Sequence, residues 1–253
     1  MQVILLCAGY ATRLYPLTQN QPKPLLPIGS RPILECILDR VKPVAGVDRI
    51  LIVTNHQFAG HFEKWRANVK YPWPIEVVDD LTTSNDNRRG AIGDIVYTLK
   101  TKQVSNEDLL VIAGDNLFDF DLSHFIEFSE KKRPNPVIAV YDVKNLDLAK
   151  QYGIVKINAA SRVEQFLEKP QVPPSTLASS GIYWLPKETN ALLDQYLREG
   201  HNPDQPGHYM RWLAETQSLF AFPLEGIWYD IGDLTSYQKA NTHFAGAVSA
   251  IKK

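Results

Sequence analysis

Residues 6–18 read LCAGYATRLYPLT, and residues 22–28 read PKPLLPI. They follow a short apolar run at residues 3–6, which predicts a buried first strand. Small residues after a strand let the backbone close on a ligand and direct N–H groups at an anion. Arg13 offers a planar fork for phosphate oxygens, and Lys23, held between two prolines, offers a fixed point charge. The two stretches therefore predict a polyphosphate site.

Two familiar phosphate-binding loops do not match these residues. The Walker pattern Gly-x-x-x-x-Gly-Lys-Ser/Thr does not occur. The dinucleotide pattern Gly-x-Gly-x-x-Gly also fails, because Gly9 is the only glycine of the loop. An oxidoreductase that uses a dinucleotide is thus a weak alternative, and absorbance of nicotinamide or flavin would reveal it.

Length and composition favour a globular protein with one large domain, or one domain with a smaller lobe. Of 253 residues, 44% are hydrophobic and 22% are charged, so a sizeable core is expected and disorder is not. The formal net charge of -1 argues against nucleic acid as the main partner. Neither cysteines nor histidines have metal-binding spacing. No basic leader or long apolar run is present, so we expect a cytoplasmic protein without a membrane partner.

Strand and helix patterns alternate through the first half of the chain, and strands dominate after about Pro136. The alternation predicts an α/β fold, a Rossmann-like open, mainly parallel sheet with helices on both faces and a smaller mixed-β lobe. Predicted strands lie at 3–6, 50–53, 75–78, 109–113, 137–143, 153–157, 163–167, 178–185, 219–222 and 228–231. Predicted helices begin at Ser30-Arg31-Pro32, span 56–69, follow Gly90 and Pro186, cover 208–215 and begin near Asp233, a candidate N-cap.

Asp115 follows the fourth predicted strand, in the sequence Gly114-Asp115-Asn116. In an open parallel sheet, ligands bind outside the carboxyl ends of the strands, so Asp115 is expected at the same crevice as Arg13. A carboxylate near a triphosphate suggests Mg²⁺, which prefers oxygen ligands and bridges to phosphate. A solvated aspartate in a turn is the alternative interpretation.

Together these stretches resemble the signature of the sugar-1-phosphate nucleotidylyltransferases, roughly L-A-G-G-x-G-T-R-L-x-P-L-T followed by a P-K-P-L-L-P-type segment. Ala8 and Ala11 stand where that family usually has glycine, and this variant is similar to forms among choline-phosphate cytidylyltransferase relatives. Further segments of the family occur in order up to about Tyr237: GDN at 114–116, YGI at 152–154, EKP at 168–170 and WYDIG at 228–232.

The resemblance implies a role for each matching residue. It implies that Arg13 holds the leaving pyrophosphate, that Lys23 stabilises the α-phosphate, and that Asp115 and Asp230 share Mg²⁺. The implied nucleotide-binding residues are Ala8, Gly9, Tyr10, Ala11, Thr12 and Gly90. The implied acceptor-binding residues are Gly153, Glu168 on sugar hydroxyls, Lys169 on the sugar phosphate, and Ser179 in the sugar pocket.

The resemblance also implies one nucleotidyltransferase domain over 1–253, with a nucleotide-binding half at about 1–120 and an acceptor-binding, sugar-binding half at about 121–253. The implied substrates are an NTP and a sugar 1-phosphate, which give an NDP-sugar and pyrophosphate. A choline-phosphate-type cytidylyltransferase and a non-catalytic, nucleotide-sensing relative are the alternatives. The base, the sugar and assembly into a homo-oligomer are left open.

Overall fold

Strands and helices alternate through the protein, as the sequence predicts. The computed structural model describes the backbone of residues 1–250 and the side chains of residues 1–244. The strands are β1 (Gln2–Leu6), β2 (Pro27–Ile28), β3 (Arg31–Pro32), β4 (Arg49–Thr54), β5 (Ile75–Asp79), β6 (Leu109–Ala113), β7 (Asn116–Phe118), β8 (Val137–Asp142), β9 (Gly153–Ile157), β10 (Val163–Glu168), β11 (Leu177–Leu185), β12 (Phe220–Leu224) and β13 (Trp228–Asp230). The α-helices are α1 (Ile33–Val41), α2 (His56–Arg66), α3 (Ala91–Thr101), α4 (Leu122–Glu130), α5 (Leu146–Ala149), α6 (Asn190–Arg198), α7 (Pro206–Thr216) and α8 (Leu234–Ala250).

One nine-stranded sheet, within the described residues, contains strands from both halves of the chain. Its parallel part has the order β6-β1-β4-β5. The strand β11 runs antiparallel to β6 and joins this part to β8, β9, β10 and β12. The small antiparallel pair β7–β13 lies outside the large sheet. The predicted fold class is confirmed, and the mixed strands extend the first sheet.

The two faces of the sheet bury different apolar residues because successive side chains of a strand alternate. Val3 and Leu5 of β1 pack on one face with residues of α1, α2 and α4, whereas Ile4 packs on the other face with residues of α3, α6 and α7. The side chains of Val3, Ile4 and Leu5 are all fully buried. This double burial confirms the prediction of helices on both faces.

Local departures from the predicted elements have identifiable causes. The helix expected at Ser30-Arg31-Pro32 begins only at Ile33, because Arg31–Pro32 pairs with Pro27–Ile28 as a short strand. The helix predicted over 56–69 ends at Arg66. The predicted N-cap of α8 is confirmed, since Asp233 Oδ1 accepts a hydrogen bond from the Ser236 N–H at 2.7 Å. Within the described part of the chain, no helix combines the length and apolarity needed to cross a membrane.

The irregular pairing between β11 and β8 lies at Gly181. The pairing of β11 with β8 shifts between Ser179 and Tyr183, and Gly181 lies in this irregularity with φ of +75°. A Cβ atom there would lie 2.9 Å from Asn116 Nδ2 and 3.0 Å from Ala113 Cβ. Both the left-handed backbone conformation and the lack of room for a Cβ atom therefore favour glycine.

We expect Gly181→Ala to lower the free energy of unfolding by roughly 1–2 kcal/mol, because alanine pays a steric cost in the left-handed region. Gly60→Ala is the matched control, since Gly60 lies inside α2 with open space around it. That substitution should raise stability by about 0.5–1 kcal/mol. Urea unfolding of both variants measures the two effects, and equal stability changes of the same sign would contradict the role given to Gly181.

Candidate active site

A cavity of about 400 Å³ lies beside the carboxyl end of β6. Residues from both halves of the chain line it, which places distant parts of the sequence around one space. Its lining includes seven of the sequence-predicted site residues: Arg13, Asp115, Gly153, Glu168, Lys169, Ser179 and Asp230. The lining also contains Asn116 and Trp228, which lie in the predicted motifs without an assigned role, and Tyr183, which ends the segment 179–183 that resembles the lining of the sugar pocket. Five further lining residues carry no sequence signal, and they are Gln151, Phe166, Gln205, Pro206 and Gly207.

Lys23 connects three segments at the edge of this cavity. Its Nζ donates to Asp115 Oδ2 at 2.6 Å and to the Ile231 carbonyl oxygen at 2.8 Å. The Ile231 N–H in turn donates to the Asp115 carbonyl oxygen at 3.1 Å. Only 11% of the Lys23 side chain is exposed, so water screens this ion pair little. Lys23 thus holds the segments that carry Asp115 and Asp230 together.

Asp115 and Asp230 meet because of the short antiparallel pair β7–β13. Asn116 of β7 lies opposite Asp230 of β13, and Asp115 directly precedes that position. Burial, together with the negative charge of Asp115, raises the pKa of Asp230 to about 6, against the opposing charges of Lys23, Arg13 and Lys169. Within the described residues, no hydrogen bond reaches the Asp230 carboxylate. Two neighbouring carboxylates supply oxygen ligands of the kind that a hard cation prefers.

Arg13 lies on a 3-10 turn, Thr12–Leu14, that follows the loop after β1. Its guanidinium approaches Asp230 over Gly232, where a Cβ atom would lie 3.8 Å from Arg13 Nη1 and 3.9 Å from Asp230 Oδ2. Ala11 precedes the turn with φ of 48°, a left-handed conformation. The glycine that the resembled signature has at this position would adopt that conformation without steric cost.

Three buried polar residues that have no predicted site role support this loop through hydrogen bonds. Thr18 Oγ1 donates to the Ala11 carbonyl oxygen at 2.8 Å, and Thr54 Oγ1 donates to that of Cys7 at 3.3 Å. Asn55 Nδ2 donates to the Ala8 carbonyl oxygen at 2.9 Å, while its Oδ1 caps α2 by accepting from the Phe58 N–H. The sequence Thr-Asn before a helix indicates a cap, but nothing local indicates contact with the loop.

The side of the cavity that contains the predicted acceptor-binding residues is formed by β9, β10 and β11. Lys169 follows β10 with φ of 47°, and its N–H donates to the Tyr152 carbonyl oxygen at 3.0 Å. Lys169 Nζ lies 3.7 Å from Glu168 Oε1. Ser179 Oγ lies 3.5 Å from the Tyr183 hydroxyl, and burial raises the pKa of Tyr183 to about 12. This side therefore offers one cation, one carboxylate and two neutral hydroxyls.

Gly90 and the segment Ala8–Thr12 do not line this cavity. Gly90, with φ of +78°, packs under Asp204, whose Cα would lie 2.5 Å from a Cβ atom at position 90. The first N–H groups of α3 donate to the carbonyl oxygens of Asp204 and Pro203, and Arg88 forms a two-point ion pair with Asp204 at 2.6 and 2.9 Å. The nucleotide-binding role of Gly90 stays a prediction.

The fold and the site residues together define a nucleotidyltransferase. A family model described as nucleotidyl transferase matches residues 2–246, and this chain belongs to that family. The match confirms the resemblance found in the sequence motifs.

Named relatives share this similarity over nearly the whole chain. The bifunctional protein GlmU of Methanococcus aeolicus is 30% identical over 248 residues, which cover 96% of this chain and 54% of that protein. The glucose-1-phosphate adenylyltransferase of Bacillus mycoides is 29% identical over 257 residues, covering 94% of this chain and 66% of that protein. The chain thus spans about half to two thirds of the length of these curated relatives.

A solved structure of UDP-glucose pyrophosphorylase complexed with UDP-glucose superposes with a TM-score of 0.81. The superposition covers 97% of this chain and 98% of that chain at 21% sequence identity. At this identity the likeness supports the fold.

Asn55 allows a test of the loop support that separates it from helix capping. Asn55→Asp keeps the cap oxygen for the Phe58 N–H but replaces the donor to Ala8 with an oxygen in a fully buried position. We expect the free energy of unfolding to fall by about 1–3 kcal/mol, the scale of an unsatisfied buried polar group. Asp121→Asn at the N-cap of α4 is the matched control and should stay close to the wild type. Equal effects in urea unfolding would mean that Asn55 serves only as a cap.

Proposed function

We propose that this chain transfers a nucleotidyl group from an NTP to a sugar 1-phosphate, giving an NDP-sugar and pyrophosphate. The observation that carries the proposal is the cavity that places Arg13 and Lys169 around the pair Asp115 and Asp230. Two negatively charged substrates must come together in this reaction, so the site needs positive charges that offset their repulsion. Membership of the nucleotidyl transferase family supports the same reaction class.

The reaction needs no general base. An oxygen of the acceptor phosphate, already ionised at neutral pH, attacks the α-phosphorus of the NTP; this P–O bond forms while the bond from the α-phosphorus to the bridging oxygen of pyrophosphate breaks. Catalysis then comes from positioning and charge stabilisation. In our proposal Arg13 binds the leaving pyrophosphate, Lys23 lies near the α-phosphate, and Lys169 orients the attacking phosphate.

The carboxylates Asp115 and Asp230 fit Mg²⁺. That ion is usually bound through one or two carboxylates and substrate phosphates rather than by a cage of protein ligands. In the described residues, no group of three or more His, Cys, Asp or Glu side chains forms such a cage. When bound, Mg²⁺ would neutralise phosphate charge. Asp115 would then divide its negative charge between the ion and the ammonium group of Lys23, its partner at 2.6 Å.

The proposal divides the site between the two halves of the chain, with the NTP on the loop after β1 and the acceptor on β9–β11. Ala8–Thr12 and Gly90 are assigned to the nucleotide, and Gly153, Glu168 and Ser179 to the acceptor. The related proteins carry different bases in their names, adenylyl in one and UDP in another, so the base is left open. Cytoplasmic location, assembly into a homo-oligomer and the absence of nucleic acid or membrane partners stay predictions.

A second candidate acceptor is a phosphorylated quaternary amine such as phosphocholine. The cavity walls include the rings of Tyr152, Phe166, Tyr183 and Trp228 together with the Glu168 carboxylate. Aromatic faces with a nearby carboxylate are what binds quaternary ammonium groups. Release of pyrophosphate, measured over a matrix of NTPs with sugar 1-phosphates and phosphocholine, tests both candidates. NTP binding without pyrophosphate release from any pair would favour a nucleotide-sensing protein.

We expect Asp115→Asn and Asp230→Asn each to lower kcat by at least about 10²–10³-fold, because each removes charge that stabilises the transition state. Asp230→Asn should also raise the melting temperature at neutral pH, since it removes a buried carboxylate that repels Asp115. Asp119→Asn is the control, because an asparagine there keeps the acceptor for the Ile227 N–H outside the cavity. Near-normal turnover in Mg²⁺ for either site variant would contradict the shared-metal assignment.

Lys169→Ala should separate the two substrates. We expect NTP affinity to change little, KM for the phosphorylated acceptor to rise and kcat to fall, because a group that aligns the nucleophile acts in both the ground and the transition state. Lys131→Ala, at an exposed position outside the cavity, is the control. Titrations with NTP alone and acceptor alone measure the effect. Loss of NTP affinity with retained acceptor affinity would reverse the assignment of the two halves.

A further inference from the structure

Behind the loop after β1, a buried polar cluster remains that the proposed chemistry does not use. It consists of Tyr10 on that loop, Asp80 and Thr82 after β5, and Asp94 in the first turns of α3. All four side chains are buried, with Asp80 at 1% and Asp94 at 5% exposure. The Tyr10 hydroxyl, Asp80 Oδ2 and Asp94 Oδ1 have no hydrogen-bond partner of good geometry within the described residues.

The two carboxyl groups of this cluster face each other. Asp80 Oδ1 accepts hydrogen bonds from the Thr82 N–H and hydroxyl, both at 2.7 Å, which leaves Oδ2 free to face Asp94. The Asp94 carboxyl lies within hydrogen-bonding reach of Asp80. Burial, with the neighbouring negative charge of Asp80, raises the pKa of Asp94 to about 8. Two ionised carboxylates in such contact would repel each other strongly without water.

Positive charge near the pair compensates its negative charge only in part. Arg89 is the nearest cation and lowers the pKa of Asp94, but its Nε donates to the Asp80 carbonyl oxygen at 2.7 Å and its guanidinium lies 4.1 Å from the centre of the Tyr97 ring. Asp204 adds further negative charge, and Arg88 pairs with Asp204. Within the described side chains, neither Asp80 nor Asp94 forms an ion pair.

We propose that Asp94 keeps its proton at neutral pH and donates a hydrogen bond to Asp80, and that this bond positions the loop of Tyr10. The bond joins the first turns of α3 to the segment after β5, and the Tyr10 hydroxyl lies near both groups, since burial and then the negative charges of Asp80 and Asp94 raise the pKa of Tyr10. One shared proton satisfies both orphaned carboxyl oxygens. Asp94 is thus a positioning residue, and only its effect on nucleotide binding rests on the proposed function.

A proton retained on Asp94 makes the free energy of unfolding depend on pH. Because the folded chain keeps a proton that an unfolded Asp94 releases near its ordinary pKa of 3.8, the free energy of unfolding falls as pH rises from about 4 to about 8. Above about pH 9 both states have released the proton and this contribution to the slope vanishes. Asparagine at position 94 mimics the protonated acid, since its amide can donate to Asp80 and does not titrate.

The test compares melting temperatures of the wild type, Asp94→Asn and the exposed control Asp86→Asn from acid to alkaline pH. We expect Asp94→Asn to be more stable than the wild type at neutral pH, by a margin that grows up to about pH 8 and then stays constant. Asp86→Asn should follow the wild-type curve, because Asp86 lies on the exposed part of the same segment. If Asp94→Asn does not fold, Asp80→Asn provides the second variant, since its amide can donate to ionised Asp94.

Infrared spectroscopy gives a readout that does not require activity. The wild type should show the carbonyl stretch of a buried carboxylic acid near neutral pH, which Asp94→Asn lacks and which disappears above about pH 9. Nucleotide affinity of the wild type should fall over the same alkaline range, and that of Asp94→Asn should not. Absence of the band would overturn the shared proton. So would stabilisation of the wild type by added Na⁺, K⁺ or Ca²⁺, if its stability then no longer depended on pH. A confirmed band without nucleotide binding would instead contradict the proposed function.

Discussion

The ion pair between Lys23 and Asp115 is the contact on which the arrangement of the site depends. It joins the proline-flanked turn near the start of the chain, the end of β6 and the segment after β13, where the Ile231 carbonyl oxygen is the second acceptor. A surface ion pair contributes little, but this one is shielded from water and reinforced by backbone hydrogen bonds. It brings two carboxylates close enough for the charge of Asp115 to raise the pKa of Asp230, a repulsion that a bound cation would relieve.

The antiparallel strand β11 has a comparable role at the level of the sheet. It pairs with β8 on one side and with β6 and β9 on the other, so the proposed nucleotide and acceptor halves share one hydrogen-bonded sheet. Residues at the ends of these strands, among them Asp115 and Ser179, therefore keep fixed relative positions. Other strands, α7, α8 and loops supply the rest of the cavity wall, and adjustments to different ligands are expected in the loops.

The fold class could be predicted from the sequence because buried parallel strands are continuous apolar runs and the helices between them are amphipathic. The strand β7 could not be predicted from the sequence, because three residues are too few to show a hydrophobic periodicity. This strand nevertheless places Asp115 beside Asp230. The motifs predicted Arg13, Asp115 and Asp230, whose chemistry is local. Asn55 and Gly207 have roles set by contacts between residues distant in the sequence, and no local pattern reveals those contacts.

The contact of Asp204 and Pro203 with α3 affects where an anion can bind. A helix start normally presents unpaired N–H groups and a partial positive charge to anions. In α3 the N–H groups of Ala91 and Ile92 already donate to protein carbonyl oxygens. While the segment at 203–204 stays in place, these two N–H groups are therefore not available to a phosphate group. Under the proposed function, Arg13 and Lys23 would supply much of the positive charge for the polyphosphate, and salt should weaken that part of the binding more than it would weaken binding by backbone amides.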